Sequence, residues 1–224
     1  ISVGSHLPSL TLNNSPITNN IAYEVAGGIY MKGYSGSAPP GGTIRIQNST
    51  IAYNSAQIGG GIILDFTSLK ANLVMTNTII AKNSAVRITD CSLGTANIVS
   101  LSHNIVGDVT DCGITSGAGD RFNVDPQFAD YPSGALHYYT LKSTSPAIDA
   151  GQMCLTTDQR NISRPLGSAC DIGAYEYSTS GVAASLGASS WTKYRIGLFA
   201  NASSPFVIYV VDEDGTPVNG APVT

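Results

Sequence analysis

The sequence predicts an all-β solenoid of stacked coils, and two observations carry that prediction. The first is a nine-residue pattern, Asn-[Ser/Thr]-x-Ile-x-x-Asn-x-Ala. It occurs as Asn14-Ser-Pro-Ile-Thr-Asn-Asn-Ile-Ala22, Asn48-Ser-Thr-Ile-Ala-Tyr-Asn-Ser-Ala56 and Asn77-Thr-Ile-Ile-Ala-Lys-Asn-Ser-Ala85. A weaker fourth copy, His103-Asn-Ile-Val106, puts His in the first Asn position. First positions at 14, 48, 77 and 103 give spacings of 34, 29 and 26 residues, the range of stacked repeats and too short for separate domains. The second observation is period. Each full copy follows an alternating apolar run, Leu10/Leu12, Ile44/Ile46 or Leu73/Met75, and Val99/Leu101 precedes the fourth. No window of about 11 residues holds the 3.6-residue stripe of a helix.

Residues 1–122 are read as the coils. Each unit is a strand, a tight polar turn and a second short strand. Asn at the head of each motif suits the left-handed backbone of such a turn. With coils in register, Asn14, Asn48 and Asn77 are expected to stack as a side-chain ladder. Gly27-Gly28 and Gly59-Gly60-Gly61 precede Ile29 and Ile62 at nearly matching offsets and are expected to turn the chain into the next face.

Composition fits a core-bearing, weakly charged protein. Of 224 residues 12% are charged and 42% hydrophobic, with a net charge of -4. That balance excludes a basic nucleic-acid surface, and no apolar run approaches a membrane span of about 18 residues. Ile1-Ser-Val-Gly opens without the basic and apolar regions of a signal peptide, so the numbering is read as starting on a processed or excised segment.

Four cysteines fall as two local pairs, Cys91 with Cys112 and Cys154 with Cys170. Three connectivities exist; the sequential one is favoured because a coil-length loop brings Cys91 and Cys112 onto adjacent rungs. Zinc is the competing reading, and no CxxC or closely spaced His accompanies them. Disulfides place the chain in an oxidising, extracellular or cell-surface setting. Sequons at Asn13, Asn48, Asn161 and Asn201 are candidate glycan acceptors, although such triplets arise by chance in an Asn/Ser/Thr-rich chain.

The stretch 123–177 holds Asp125-Pro-Gln-Phe128, Leu141-Lys-Ser-Thr-Ser-Pro-Ala-Ile-Asp-Ala-Gly151, Thr157-Asp-Gln-Arg160, Arg164-Pro165 and Cys170-Asp-Ile-Gly-Ala-Tyr-Glu176. It resembles the C-terminal end of bacterial secreted proteins of the choice-of-anchor Q domain type. Ser102-His-Asn-Ile-Val-Gly107 resembles that family too, and Gly-Gly-x-Ile near Ile-x-x-Asn resembles the repeat of polymorphic outer-membrane-type adhesins. The likeness covers about residues 75–177, with Asn161 where the family usually has Gly. It implies a right-handed parallel β-helix on an exported, surface-attached protein. Read from its residues alone, 123–177 is a disulfide-tied cap over the open solenoid end. Arg160 and Arg164 are expected to pair with Asp149, Asp158 or Asp171.

No catalytic or metal site is assigned. In the coils, Asp65 with Lys70, Arg87 with Asp90, and Asp108 with Asp111 recur at no common offset, and His6, His103 and His137 suit turn or surface roles. Asp108, Asp111 and Asp120 are a weak calcium candidate, their spacing being unlike a calcium loop; no other cofactor is expected. The favoured role is a non-enzymatic surface or extracellular structural protein, an adhesin stalk or fibre subunit. The alternative is a β-helix that binds or cleaves polysaccharide, with Tyr30, Tyr34, Tyr53, Tyr138 and Tyr139 as sugar-stacking platforms.

Residues 178–224 begin with a small, polar linker and continue into two strand-like runs. Val-Val-Asp-Glu-Asp-Gly-Thr-Pro-Val, residues 210–218, resembles the opening of bacterial Ig-like domains, but only 47 residues follow Tyr177, against about 100 for such a sandwich. The second run (Phe206, Val207, Ile208, Tyr209, Val210, Val211) is the candidate assembly strand. It is expected to add to its own cap or to a neighbouring subunit, giving either a head-to-tail polymer or a module of a longer surface protein.

Overall fold

The structure, a computed structural model, describes residues 1–5, 9–33, 42–66, 72–93, 96–129 and 139–178. Among these, all regular structure is strand. A first pass of the chain contains β1 (Ser2–Ser5), β2 (Leu10–Asn13) and β3 (Pro16–Thr18). The second holds β4 (Ile29–Gly33), β5 (Thr43–Gln47), β6 (Thr50–Ala52) and β7 (Ser55–Ile58). The third holds β8 (Ile62–Phe66), β9 (Asn72–Thr76), β10 (Ile79–Ala81) and β11 (Ser84–Arg87). The fourth holds β12 (Cys91–Ser92), β13 (Asn97–Ser102) and β14 (Ile105–Val106), and β15 (Arg121–Phe122) follows.

Successive passes visit the same sheets in the same order, and every strand pair is parallel. The sheets run β1-β4-β8-β12, β2-β5-β9-β13 and β3-β6-β10-β14-β15, with β7-β11 as a fourth. Bridges from Ile21 to Ser55 and from Val25 to Ile58 extend the fourth sheet to the first pass. Register follows the nine-residue motif: Ile17 sits beside Ile51 and Ile51 beside Ile80. Alternation explains the core. In β5 and β9, Ile44, Ile46, Leu73 and Met75 are buried while Arg45 faces outward. Each such side chain contributes about 1.5–3 kcal/mol by leaving water.

Corners repeat in columns as well. Asn14, Asn48, Asn77 and His103 all have φ between 45° and 54°, and Asn19, Tyr53 and Lys82 form a second left-handed column. Of the glycines expected to turn the chain, Gly59 does so with φ 72°, while Gly27, Gly28, Gly60 and Gly61 serve close packing. Gly28 has an ordinary φ, but a Cβ there would lie 2.6 Å from the Gly61 carbonyl oxygen, so these glycines let adjacent passes approach backbone to backbone.

Residues 139–177 correct the expected position of the cap. They lie against the outer face of the third sheet, burying the outward residues Thr50, Ile79 and Ile105. The Ala174 amide donates to Thr50 Oγ1 at 3.0 Å, the Gly173 amide to the Asn77 carbonyl at 2.8 Å, and the Tyr139 hydroxyl to Asn19 Oδ1 at 2.9 Å. The segment is therefore a clasp that runs across successive passes, from Asn19 on the first to Arg121 of β15, whose guanidinium donates to the Pro146 carbonyl. A sheet covered on both faces needs apolar residues at consecutive positions, which is what Ile79-Ile80-Ala81 supplies.

Disulfides join Cys91 to Cys112, beneath the fourth pass, and Cys154 to Cys170 within the clasp. They fit an oxidising compartment. The 16-residue separation of the second predicts a loss of about 3 kcal/mol for the Cys154→Ser/Cys170→Ser double variant. Urea unfolding monitored by far-UV circular dichroism measures it; an unchanged midpoint contradicts a tied clasp.

Candidate functional site

The polar chemistry of the described residues concentrates in two interior columns and in the clasp. The main column uses the second Asn of the motif. The Asn20 amide and Nδ2 donate to Asn54 Oδ1 at 3.0 and 2.8 Å, and the Asn54 amide and Nδ2 donate to Asn83 Oδ1, both at 3.0 Å. The Asn83 amide and Nδ2 then donate to Asp90 Oδ1 at 3.0 and 2.9 Å, where the column stops. Each buried Asn also ties back to the preceding pass, Asn54 Nδ2 donating to the Ile17 carbonyl and Asn83 Nδ2 to that of Ile51. A parallel column lies near the first corner. The Thr78 amide donates to Asn104 Oδ1, and the Asn104 amide and Nδ2 donate to Asp120 Oδ1. Both columns thus run one way, the first through three carboxamides and the second through Asn104 alone, and each ends on an acid that accepts charge-assisted bonds.

The expected ladder of Asn14, Asn48 and Asn77 is corrected by this geometry. Their backbones do stack, but the side chains of Asn48 and Asn77 serve the clasp. The Leu155 amide donates to Asn48 Oδ1, while Asn77 donates Nδ2 to the Gln152 carbonyl and accepts the Gln152 amide at Oδ1. Asn14 Oδ1 and Asn48 Nδ2 are buried without a partner. A left-handed corner points these side chains away from the interior, whereas Asn54 and Asn83 follow that second corner and turn inward, and Asn20, exposed on the first pass, donates to Asn54. Sequence reading missed them because both Asn positions recur equally well.

Inside the clasp, Arg160 bonds Asp158 at 2.7 Å and lies 3.7 Å over the Tyr175 ring. Arg164 pairs with Glu176 at 2.6 Å, with both side chains buried. Glu176 also accepts the amides of Leu166 and Asp171. The pairing of Arg160 with Asp158 agrees with the sequence reading; Glu176, outside the expected partners of Arg164, replaces them. The Asp171 carboxylate receives the amides of Asp149 and Tyr177, and no cation among the described residues is bonded to it.

Burial, reinforced by nearby Glu176, pushes the Asp171 carboxyl up to about 7 despite those amides and Arg164. A carboxyl whose folded pKa is raised holds its proton more tightly in the folded chain. Its stabilisation is complete below about pH 4, the unfolded value, and is lost as pH rises towards 7. Asp90, also raised by burial, acts in the same direction; Asp108 and Asp125, held low by hydrogen bonds from Thr110 and Lys82, lose stability in acid. The unfolding midpoint is therefore expected to be higher at pH 5 than at pH 8, by about 2 kcal/mol, and Asp171→Asn to flatten most of that difference. Denaturant titrations at the two pH values test the sign.

The other sequence candidates do not converge. Asp65 accepts the Tyr30 hydroxyl at 3.4 Å, and Asp90 faces Asn83 and the Asp108 amide instead of Arg87. Asp108 is engaged by Thr89 and Thr110, and Asp120 by Asn104 and the Gly117 amide. Among the described residues no three His, Cys, Asp or Glu side chains are grouped to hold a metal, and no helix is long and apolar enough to cross a membrane. The Tyr53 ring stacks on Tyr139, centroids 4.2 Å apart, with Phe128 beside both, so these faces pack on one another. Asn13 and Asn161 are exposed, whereas Asn48 is buried and bonded, so a glycan has no access to it. His6, Tyr34, Lys70, His137, Tyr138, Asn201 and the run 206–211 lie outside the described residues.

No family model matches the chain, and neither a curated protein nor a solved structure does.

Proposed function

We propose that the stacked passes form a right-handed parallel β-helix of the choice-of-anchor Q type, and that the chain is a non-enzymatic structural protein of the cell surface or extracellular space, an adhesin stalk or fibre subunit. The observation that carries this reading is the destination of the buried polar groups. Asn54, Asn83, Asn104, Asp90 and Asp120 bond to one another or to backbone, pass to pass, and Arg160, Arg164, Asp158 and Glu176 bind the clasp to itself. Groups engaged in this way hold a scaffold together and, among the described residues, leave no reacting pair aimed at a ligand.

Self-association is assigned to residues 206–211, whose apolar, uncharged run suits strand addition to a neighbouring chain. Two measurements test the role. Electron microscopy of the chain is expected to show ordered fibres that disappear on deletion of residues 178–224, and a polysaccharide panel is expected to gain no reducing ends. Dispersed particles, or release of reducing ends, would contradict the structural-subunit reading.

A further inference from the structure

The three most exposed large apolar side chains among the described residues fall on one sheet. Ile21 is 86% exposed, Val86 85% and Tyr23 84%. They belong to the fourth sheet, β7-β11, which the bridges from Ile21 to Ser55 and from Val25 to Ile58 extend to the first pass. A cluster of such side chains on a soluble chain marks an interaction surface.

Register sets out this face in rows. Ile21 stands beside Ser55, and Ser55 beside Ser84. Two residues further on are Gln57 and Val86, between the Ala56–Ala85 and Ile58–Arg87 pairs, and Tyr23 lies between the two bridges of the first pass. Strand residues two apart share a face, so Ser84 and Val86 project together, and both are exposed, as is Gln57. The face thus carries two large apolar groups on the first pass, an amide on the second, and a small residue followed by an apolar one on the third. Charge follows the same plan. Exposed Glu24 comes after Tyr23 and exposed Arg87 after Val86, and neither has an ion-pair partner among the described residues.

We propose that this face is the contact of a homodimer, its occupant a second copy of the chain related by a two-fold axis that runs along the strands through the second pass. Rotation about that axis lays the first pass over the partner's third and leaves the position along the strand unchanged. Large then meets small, Ile21 over the partner's Ser84, and apolar meets apolar, Tyr23 over the partner's Val86. Gln57 faces the partner's Gln57 across the axis, and at the rim Glu24 reaches the partner's Arg87. Each contact off the axis is made twice, as in any isologous interface. Face-to-face packing with aligned strands is an ordinary way for sheets to meet. So few apolar groups fall short of the roughly 800 Å² that each partner buries in a stable complex, so the dimer is weak and dissociates on dilution. The site rests on the register of the fourth sheet and not on the fibre or adhesin role.

The test uses the full chain carrying Gln57→Cys. All four native cysteines are in disulfides, so the new thiol is free, and stacked sheets stand about 10 Å apart, within reach of a short bismaleimide. Cross-linked dimer is expected to increase with protein concentration, whereas Thr11→Cys, exposed on the second sheet, is expected to give little. Adding Val86→Glu to the Gln57→Cys chain sets carboxylates between the copies and is expected to cut the yield about tenfold, with an unchanged unfolding midpoint because Val86 is exposed. Glu24→Arg is expected to lower the yield and Glu24→Arg/Arg87→Glu to restore it. Equal yields from Gln57→Cys and Thr11→Cys overturn the proposal. So does a yield that Val86→Glu leaves unchanged, which would make the run 206–211 the source of association, or a chain monomeric at every concentration that binds polysaccharide until Tyr23→Ala removes the ring. Loss of fibres in microscopy with the Gln57→Cys cross-link intact refutes only the structural role.

Discussion

Replacing Asn54 with Ala is expected to lower stability by about 3 kcal/mol, a large share of the 5–15 kcal/mol that holds a typical domain together. Asn54 is fully buried, and its carboxamide joins three passes: it accepts from Asn20, donates to Asn83 and donates to the Ile17 carbonyl. The truncation removes those bonds and strands the Ile17 carbonyl, worth about 1–3 kcal/mol when left buried and unpaired, whereas the exposed Asn20 turns to water. Asn54→Asp is expected to be worse at neutral pH, because it sets a carboxylate against Asn83 Oδ1. Asn14→Ala, by contrast, removes a side chain whose Oδ1 receives no donor and is expected to cost mainly its corner conformation, about 1 kcal/mol. Urea midpoints for the three variants rank them; equal losses for Asn14→Ala and Asn54→Ala would show that the inner column carries no special weight.

The second large effect is expected at Glu176. Its carboxylate is fully buried and binds Arg164, Leu166 and Asp171 at once. Glu176→Ala leaves the buried Arg164 guanidinium bonded to the backbone carbonyls of Thr157, Asp171 and Gly173, with the Asp158 and Asp171 carboxylates near but not bonded to it among the described residues. Breaking one side of a buried pair costs about 3–5 kcal/mol. The loss falls on the clasp, so protease sensitivity of residues 139–177 is expected to rise before the passes unfold. The Arg164→Met/Glu176→Leu double variant is expected to recover part of the loss, because no unpaired charge then stays buried. A double variant worse than the sum of its parts would contradict this account of the pair.

The repeat was legible in the sequence because stacking in register copies the inward pattern from pass to pass: Leu12, Ile46 and Met75 precede the corner, and Ile17, Ile51 and Ile80 follow it. The all-β, parallel-strand character came with it. What could not be read was orientation. Asn48 and Asn54 recur with equal fidelity, and only the left-handed corner at Tyr53 decides that one faces the clasp and the other the interior. At this second corner Tyr53 and Lys82 stand where Asn19 does, and neither residue type announces a left-handed backbone. The clasp left a fainter trace. Ile79 next to Ile80 breaks the in-out alternation, which signals a strand covered on both faces, but a single strand of three residues says little about what covers it. Glu176 was read among the charges of the cap, yet its partner depends on a long-range fold-back that spacing does not encode.

Methyl–methyl nuclear Overhauser contacts among Ile17, Ile51 and Ile80, in a sample labelled at isoleucine δ methyls, test the stacking most directly. The account predicts cross-peaks from Ile51 to both Ile17 and Ile80, since these residues are register neighbours on adjacent parallel strands. Absence of both, or contacts that place Ile51 against strands in another register, would contradict the parallel, in-register stack on which every other inference rests.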